Sequence, residues 1–149
     1  MIELKIAIGC DPNAIDFKAQ LIPYIKELGH EVLDYGSEDP VYANVAIAVA
    51  KDVAAGKADR GVLICGTGIG VSIAANKVEG AYAALVSNIY QAQRAQLSNN
   101  ANIITFGAQV MGVELAKCLV KEYLSNAYDP KSRSGPKVGR ITEFEKQGK

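Results

Sequence analysis

A glycine-rich segment near the middle of the chain carries the residues best suited to chemistry. It follows an almost continuous apolar run and reads Cys65-Gly66-Thr67-Gly68-Ile69-Gly70. Glycines let the backbone approach a ligand closely, and free amides at the start of a helix can hold an anion. The same amides and the helix dipole favour the thiolate form of Cys65. The segment is therefore either a site with a reactive thiol or a tight turn around a buried, inert cysteine.

The spacing of these glycines argues against a nucleotide site. The pattern Gly-x-Gly-x-Gly follows the third predicted strand, whereas the dinucleotide fingerprint is Gly-x-Gly-x-x-Gly after the first strand. The fourth predicted strand ends in Val86-Ser87-Asn88, with no acidic residue for a ribose hydroxyl. The Gly-Lys-Ser or Gly-Lys-Thr of an ATPase loop is absent from the sequence.

Three other polar segments are candidates for ligand binding. Asp11 follows Cys10 at the end of the first predicted strand, where it could bind substrate hydroxyls or cap a helix. The amide-rich segment 98–102 could bind sugar hydroxyls or only turn the chain. A basic set near the C-terminus could clamp a phosphate or form a solvated surface. Its members are Lys131, Arg133, Lys137 and Arg140.

The remaining cysteine and the only histidine are expected to be structural. We predict Cys118 on the apolar face of a helix with Leu115 and Leu119, which favours packing in the core. His30 lies just before the second predicted strand, away from the edge where ligands bind, and we expect it at the surface. Three scattered cysteines do not suggest a disulfide framework and are typical of a reducing cytoplasm.

Five short apolar runs alternate with stretches of helical periodicity. The predicted strands are residues 5–9, 31–36, 60–65, 81–86 and 102–106. The predicted helices are residues 16–28, 42–55, 71–77, 90–97, 111–124 and 138–147. This alternation predicts a three-layer, doubly wound α/β fold of the Rossmann-like type around a five-stranded parallel sheet. Ligands bind at the carboxyl ends of such strands, which singles out residues 9–13, 65–70 and 87–88.

Length and composition limit the possible functions. The 149 residues, 49% of them apolar, predict one domain over residues 1–149, with a polar tail from about residue 126. Sixteen basic and sixteen acidic residues argue against a dedicated nucleic-acid binder. No apolar run approaches the roughly 18 residues that would span a membrane, and the N-terminus lacks the pattern of a signal peptide. A single histidine argues against a multi-histidine metal site, and we expect no metal.

Taken together, these segments resemble the ribose-5-phosphate isomerase B and galactose-6-phosphate isomerase family over nearly the whole chain. The strongest matches are residues 8–11, 63–70 with 74–77, and 99–107. The resemblance implies a cofactor-free aldose–ketose isomerase of phosphosugars that works through a cis-enediolate. It implies that Cys65 is the catalytic base and that the amides of residues 66–70 stabilise the enediolate. If the base lay elsewhere, Cys10 would be the next candidate. Thr67 and Asp11 would orient hydroxyls and move the proton between O1 and O2.

The resemblance also implies a site between two subunits of a dimer, which can pair into a tetramer. Asn99 and the C-terminal tail would then come from the neighbouring chain. Asn99 aligns with the family's asparagine, and Arg133 with its first phosphate-binding arginine. Lys137 stands at the second arginine, where it keeps the charge but loses the bidentate fork. The expected partners are a small phosphosugar and a second copy of the chain, with no nucleic acid and no membrane.

Two positions depart from the family pattern. Pro12 replaces the histidine of Cys-Asp-His, and Ser98 replaces a histidine implicated in opening the furanose ring. A tetrose 4-phosphate cannot close such a ring because the phosphate blocks O4, so its isomerase needs no ring-opening group. Segments 42–44, 98–101 and 133–134 are also similar to a family branch that interconverts D-erythrulose 4-phosphate and D-erythrose 4-phosphate.

This tetrose pair is therefore the favoured substrate. Three alternatives stay open at this point. The chain could be a ribose 5-phosphate/ribulose 5-phosphate isomerase proper. It could be one subunit of a hetero-oligomeric hexose-6-phosphate isomerase, or a phosphosugar-binding protein without catalytic activity.

Overall fold

The computed structural model describes residues 2–148 and confirms the predicted α/β architecture. All pairings in its five-stranded sheet are parallel, and the strand order is β2-β1-β3-β5-β4. The strands are β1 (Lys5–Cys10), β2 (Glu31–Asp34), β3 (Arg60–Cys65), β4 (Ala83–Leu85) and β5 (Ile103–Gly107). The helices are α1 (Ile15–Glu27), α2 (Tyr42–Ala54), α3 (Ile69–Ala75), α4 (Ile89–Leu97), α5 (Val113–Leu124) and α6 (Gly135–Lys146). None of the helices within the described part of the chain is long and apolar enough to cross a membrane.

The two faces of the sheet build two separate cores, because successive side chains of a strand point to opposite faces. On one face, Ile8 and Ile64 belong to a cluster that includes residues of α1, α4 and α5. On the other face, Ala7 and Leu63 pack with residues of α2 and α3. All residues of β3 and β5 are buried, as expected for parallel strands covered on both sides. Helices on both faces make up the three layers.

The order of the strands places a switch point between β1 and β3. From β1 the chain crosses to β2 on one side, and from β3 it crosses to β4 on the other. Cys10 pairs in register with Ile64, and Cys65 with Gly107. A crevice opens at the carboxyl ends of strands where the winding direction reverses. Both Cys10 and Cys65 therefore lie at the edge of the sheet where ligands of this fold class bind.

The boundaries of the elements differ from the predicted ones by a few residues. α3 begins at Ile69, inside the glycine-rich segment, and α6 begins at Gly135. Pro23 lies inside α1, where proline removes one hydrogen bond of the helix. The helix continues past it because Leu21 and Ile25, on either side, are fully buried against the sheet.

The expectation for His30 is wrong, because its side chain is buried and only 4% exposed. Its Nδ1 accepts a hydrogen bond of 3.0 Å from the N–H of Leu4, just before β1. Burial lowers the pKa of His30 from its ordinary value, and the charge of Arg60 lowers it further. His30 thus closes the amino end of the sheet, opposite the edge that carries the cysteines.

The expectation for Cys118 is also wrong, because this residue is exposed. The buried stripe of α5 includes Ala116, Leu119 and Tyr123, whereas Leu115 is partly exposed. Cys118 lies two residues after Ala116 and so faces roughly the opposite side of the helix. Cys118 and Leu115 do lie on the same face of α5, but that face is the exposed one.

The buried His30 predicts a loss of stability in mild acid. An unfolded chain binds a proton on histidine below a pH of about 6.5, and the folded chain, with its lowered pKa, does not. The free energy of unfolding should therefore fall as the pH drops through this window. His30→Asn keeps a hydrogen-bond acceptor and removes the titration.

Urea denaturation at about pH 7.5 and about pH 5.5 measures the effect. The unaltered chain should lose up to about 1.4 kcal/mol more than His30→Asn over this interval. Because His30 is the only histidine, the difference between the two chains reports on it alone. An equal loss in both chains would contradict the assignment.

Candidate active site

Cys65 lies at the carboxyl end of β3 and lines an open cleft of about 480 Å³. Asp11, at the end of β1, lines the same cleft, as does the start of α3. The lining residues are Asp11, Asn13, Tyr42, Cys65, Gly66, Thr67, Ile69, Gly70, Ile73 and Gln109. The structure thus brings together the cysteine, the aspartate and the glycine-rich segment, and we call this surface the thiol cleft.

The Sγ atom of Cys65 is held by the backbone of its own loop. The N–H of Gly68 donates a hydrogen bond of 3.1 Å to this sulfur. An amide donor interacts more strongly with an acceptor that carries negative charge. The residue is only 5% exposed, so Cys65 lines the cleft while it belongs to the core that packs against α2 and α3.

The loop 65–70 is fixed on one side by the end of β5. The carbonyl oxygens of Cys65 and Gly66 accept hydrogen bonds from the amides of Ala108 and Gln109, at 2.9 and 3.0 Å. The carbonyl oxygen of Gly68 accepts a bond of 2.9 Å from the hydroxyl of Thr105. In a trans peptide the N–H points away from the C=O.

The amides of Gly66, Thr67 and Ile69 consequently point away from β5. Two amides of the loop are engaged within it: that of Gly68 with Cys65, and that of Ile69 with the Oγ1 of Thr67 at 3.1 Å. Thr67 is exposed, and its hydroxyl only accepts from Ile69, so it keeps its own hydrogen to donate to a ligand. The arrangement can hold a small oxyanion over the end of β3.

Glycine is required where the loop meets β5. Gly68 has a φ of +83°, a conformation that residues with a side chain rarely adopt. A Cβ atom at Gly68 would lie 2.7 Å from both Leu85 Cδ1 and the carbonyl carbon of Phe106. A Cβ atom at Gly107 would lie 2.6 Å from the carbonyl oxygen of Gly66. These two glycines allow the close approach that orients the loop.

Asp11 fulfils the capping role while lining the cleft. Its Oδ1 accepts a bond of 3.0 Å from the N–H of Asn13, and its Oδ2 accepts one of 3.1 Å from the side-chain amide of Asn13. The carboxylate thereby caps the short 3-10 turn Pro12–Ala14. Both oxygens are bonded to Asn13, so the carboxylate of Asp11 is held in one orientation in the lining of the thiol cleft.

Cys10 differs from Cys65 although both lie at the same edge. Cys10 is buried, and it is not one of the residues that line the thiol cleft. Burial raises the pKa of Cys10 to about 11, although nearby Lys18 opposes the rise. A thiol with such a pKa is protonated near neutral pH. Cys10 is therefore poorly suited to proton transfer, whereas Cys65 lines the thiol cleft.

A second cleft, of about 390 Å³, gathers the residues predicted to bind phosphate. It shares no lining residue with the thiol cleft. Its lining residues are Tyr90, Arg94, Ser98, Asn99, Arg133, Ser134, Lys137, Val138 and Ile141. Asn99, Arg133 and Lys137 meet here, whereas Lys131 and Arg140 do not line it. We call this surface the cationic cleft.

The cationic cleft depends on the position of α6. Glu145 of this helix is largely buried, and it accepts hydrogen bonds from the hydroxyl of Tyr82 and from the N–H of Gly80, the latter at 3.3 Å. Burial and the contact with Glu145 raise the pKa of Tyr82 to about 12. These bonds fix the far end of α6 beside β4, and its first turns carry Lys137 into the cleft.

Sequence reasoning missed several lining residues. Gln109 lies two residues after the end of β5, so the rule that ligands bind at carboxyl ends could have identified it. Tyr42 begins α2; segment 42–44 contributed to the resemblance, but no chemical pattern marked Tyr42 as a lining residue. Arg94 and Tyr90 lie on α4, and their approach to the tail is a tertiary contact that the sequence does not encode locally.

Known proteins match this chain over nearly its whole length. The profile of the Ribose/Galactose Isomerase family matches residues 6–141. The D-erythrulose-4-phosphate isomerase of Pectobacterium atrosepticum is 45% identical, over 98% of this chain and 98% of its own. The ribose-5-phosphate isomerase B of Escherichia coli is 42% identical, over 96% of this chain and 97% of its own. The structure of ribose-5-phosphate isomerase B from Clostridium thermocellum aligns with a TM-score of 0.90 at 39% identity, covering 98% and 100% of the two chains.

The class of protein follows from the fold and these relatives together: it is a sugar-phosphate isomerase that interconverts an aldose and a ketose. Within that class, the chain belongs to the Ribose/Galactose Isomerase family, whose profile covers all five strands except the first residue of β1.

The packing of the loop predicts a specific effect of Gly68→Ala. The added methyl group would be strained by the positive φ and would collide with the backbone of Phe106. We expect the free energy of unfolding to fall by about 1–3 kcal/mol. Gly112→Ala is the matched control, because nothing lies within 4 Å of a Cβ atom there and its φ is ordinary. Urea denaturation of both variants measures the difference, and equal stability would contradict this account of the loop.

Proposed function

We propose that the protein interconverts D-erythrulose 4-phosphate and D-erythrose 4-phosphate. Cys65, as a thiolate, removes the proton from C1 of the ketose, and the electrons of that bond form a cis-enediolate. The amides of the loop 65–70 hold the negative oxygen as an oxyanion hole does. Cys65 then returns the proton to C2, while Thr67 and Asp11 orient the hydroxyls and move the proton between O1 and O2.

The hydrogen bond between Ser98 and Arg94 is the observation that favours a tetrose substrate. The Oγ of Ser98 accepts a hydrogen bond of 2.6 Å from Nε of Arg94. The position that holds a ring-opening histidine in the family pattern therefore holds a hydroxyl bound to a guanidinium. Arginine stays protonated near neutral pH and cannot act as a base there. A four-carbon 4-phosphate forms no furanose ring, so this loss costs its isomerisation nothing. The 45% identity to a D-erythrulose-4-phosphate isomerase supports the same choice.

A complete site on this proposal combines the thiol cleft of one chain with the cationic cleft of another. Large apolar side chains are exposed beside both clefts: Ile69 and Ile73 at the thiol cleft, and Tyr90 and Ile141 at the cationic cleft. Exposed apolar patches of this kind favour burial against another chain. The polar tail, residues 126–149, would carry Arg133 and Lys137 to the neighbouring subunit in a homodimer or tetramer.

The three polar residues of the cationic cleft have distinct tasks in this proposal. Asn99 binds a sugar hydroxyl through its amide. Arg133 offers a planar fork to the phosphate, and Lys137 adds a point charge. Arg133 and Lys137 are exposed, so both are accessible to a substrate held by the other subunit.

The substrate is tested from the aldose side. We expect kcat/KM for D-erythrose 4-phosphate to exceed that for D-ribose 5-phosphate by about 100-fold or more, the usual contribution of one general acid–base group. Both reactions are measured with the same purified protein and without added metal. D-ribulose 5-phosphate is a poor comparison because that ketose is also acyclic. Turnover of ribose 5-phosphate at an equal rate would reject the tetrose proposal and leave a pentose phosphate isomerase.

The shared site is tested by subunit complementation. Cys65→Ala and Arg133→Ala should each lose most activity, because one lacks the base and the other the phosphate fork. Mixed and refolded together in equal amounts, they should regain about a quarter of the original activity, since half of the dimers are mixed and each mixed dimer has one intact site.

Controls separate this outcome from a general defect. Cys118→Ala changes an exposed cysteine outside both clefts and should keep full activity. Circular dichroism should show that Cys65→Ala is folded. If both halves of the site came from one chain, the mixture would remain inactive. Substantial activity of Cys65→Ala alone would assign the base to another residue.

A further inference from the structure

Arg94 is a third cation in the cationic cleft, in addition to the two that the proposed function assigns to the phosphate. It reaches the cleft from α4, beside Arg133 and Lys137. We infer that Arg94 is an additional substrate-binding residue that grips the phosphate, and that Ser98 is the positioning residue that aims it. This inference rests on the proposed function, since it assumes a phosphorylated substrate in this cleft.

Two contacts with the next turn of the chain fix Arg94. The carbonyl oxygen of Arg94 accepts a bond of 2.8 Å from the N–H of Ser98, which caps α4. Its Nε donates to the hydroxyl of the same residue at 2.6 Å. Among residues 2–148 the guanidinium makes no other hydrogen bond or ion pair that would occupy Nη1 and Nη2. An arginine held at Nε keeps these two nitrogens for a forked contact with an anion.

The charge of the cleft is one-sided. Arg94, Arg133 and Lys137 line it together, and no lining residue is acidic. Asp129 lines a neighbouring hollow of about 230 Å³ together with Arg94 and Arg133. Among residues 2–148, Asp129 forms no ion pair with either arginine, and its Oδ1 accepts a bond of 2.9 Å from the N–H of Lys131.

An anion would relieve the mutual repulsion of these three side chains. Arg94 is half-buried, whereas Arg133 and Lys137 are exposed. Removal from water strengthens the attraction between a cation and a bound anion. A phosphate dianion, with three terminal oxygens, could accept from all three side chains at once. The hydroxyl of Ser98 thus acts by positioning the Arg94 side chain in the cleft.

A purely structural role is the competing explanation. Arg94 lies in the last turn of α4, where a positive charge interacts favourably with the helix dipole. That role predicts a change in stability but no change in affinity for an anion. The two explanations therefore differ in a measurement of binding.

Inorganic phosphate is the probe, titrated calorimetrically into the full-length protein. Arg94→Gln should weaken phosphate binding about tenfold, the effect of losing one charge-assisted hydrogen bond. Arg94→Lys should bind with intermediate affinity, because it keeps the charge and loses the fork. Ser98→Ala should weaken binding by a smaller factor. Arg140→Gln is the matched control: Arg140 pairs with Glu143 outside the cleft, so phosphate affinity should not change.

Each result decides between the explanations. Unchanged phosphate affinity in Arg94→Gln, with a lower melting temperature, would overturn the inference and leave only the helix-end role. If Arg94→Gln fails to fold, Arg94→Lys decides in the same way, and unchanged affinity again overturns it. With D-erythrulose 4-phosphate, KM should rise by a factor similar to the loss of phosphate affinity, and kcat should change less. Since the titration needs no turnover, failure of the tetrose proposal would leave this test readable.

Discussion

The thiol cleft depends on the hydrogen bonds that hold the loop 65–70 against the end of β5. The end of β5 binds three carbonyl oxygens of the loop, and the geometry of the trans peptide then turns the following amides toward the other side. Gly68 and Gly107 permit this approach, because a methyl group at either position would meet backbone atoms. The donors around Cys65 are therefore placed by the backbone of a buried sheet and need little reorganisation when charge develops beside them.

The two clefts are formed by different elements of the fold. The thiol cleft lies at the end of fully buried strands, whereas the cationic cleft lies between α4 and a C-terminal helix held through Glu145. Two clefts without a common lining residue make a single chain incomplete on the proposed function. A substrate bridging them would bind to the rigid sheet end of one chain and to the helices of another, so assembly and catalysis would be linked.

Much of the fold could be predicted because buried parallel strands leave a strong pattern. The apolar run of β3 has the predicted bounds, and the carboxyl-end rule correctly joined Asp11 with Cys65 in one cleft. The errors arose where a local pattern was decided by tertiary packing. His30 was expected at the surface, yet it is buried and its Nδ1 accepts a hydrogen bond from the N–H of Leu4, just before β1. Cys118 has helical spacing from Leu115, but the buried stripe of α5 runs along the other side.

The cationic cleft was harder to predict for a physical reason. Residues 98–99 and 133–137 meet only because α6 docks beside the edge strand β4, and nothing in either segment specifies that contact. The resemblance supplied Asn99, Arg133 and Lys137 but not Arg94, whose partner Ser98 is itself the departure from the family pattern. The two facts fit one explanation. On the proposed function the substrate has no ring to open, so the residue before Asn99 is free to be small, and on the inference above its hydroxyl would hold an arginine against the phosphate.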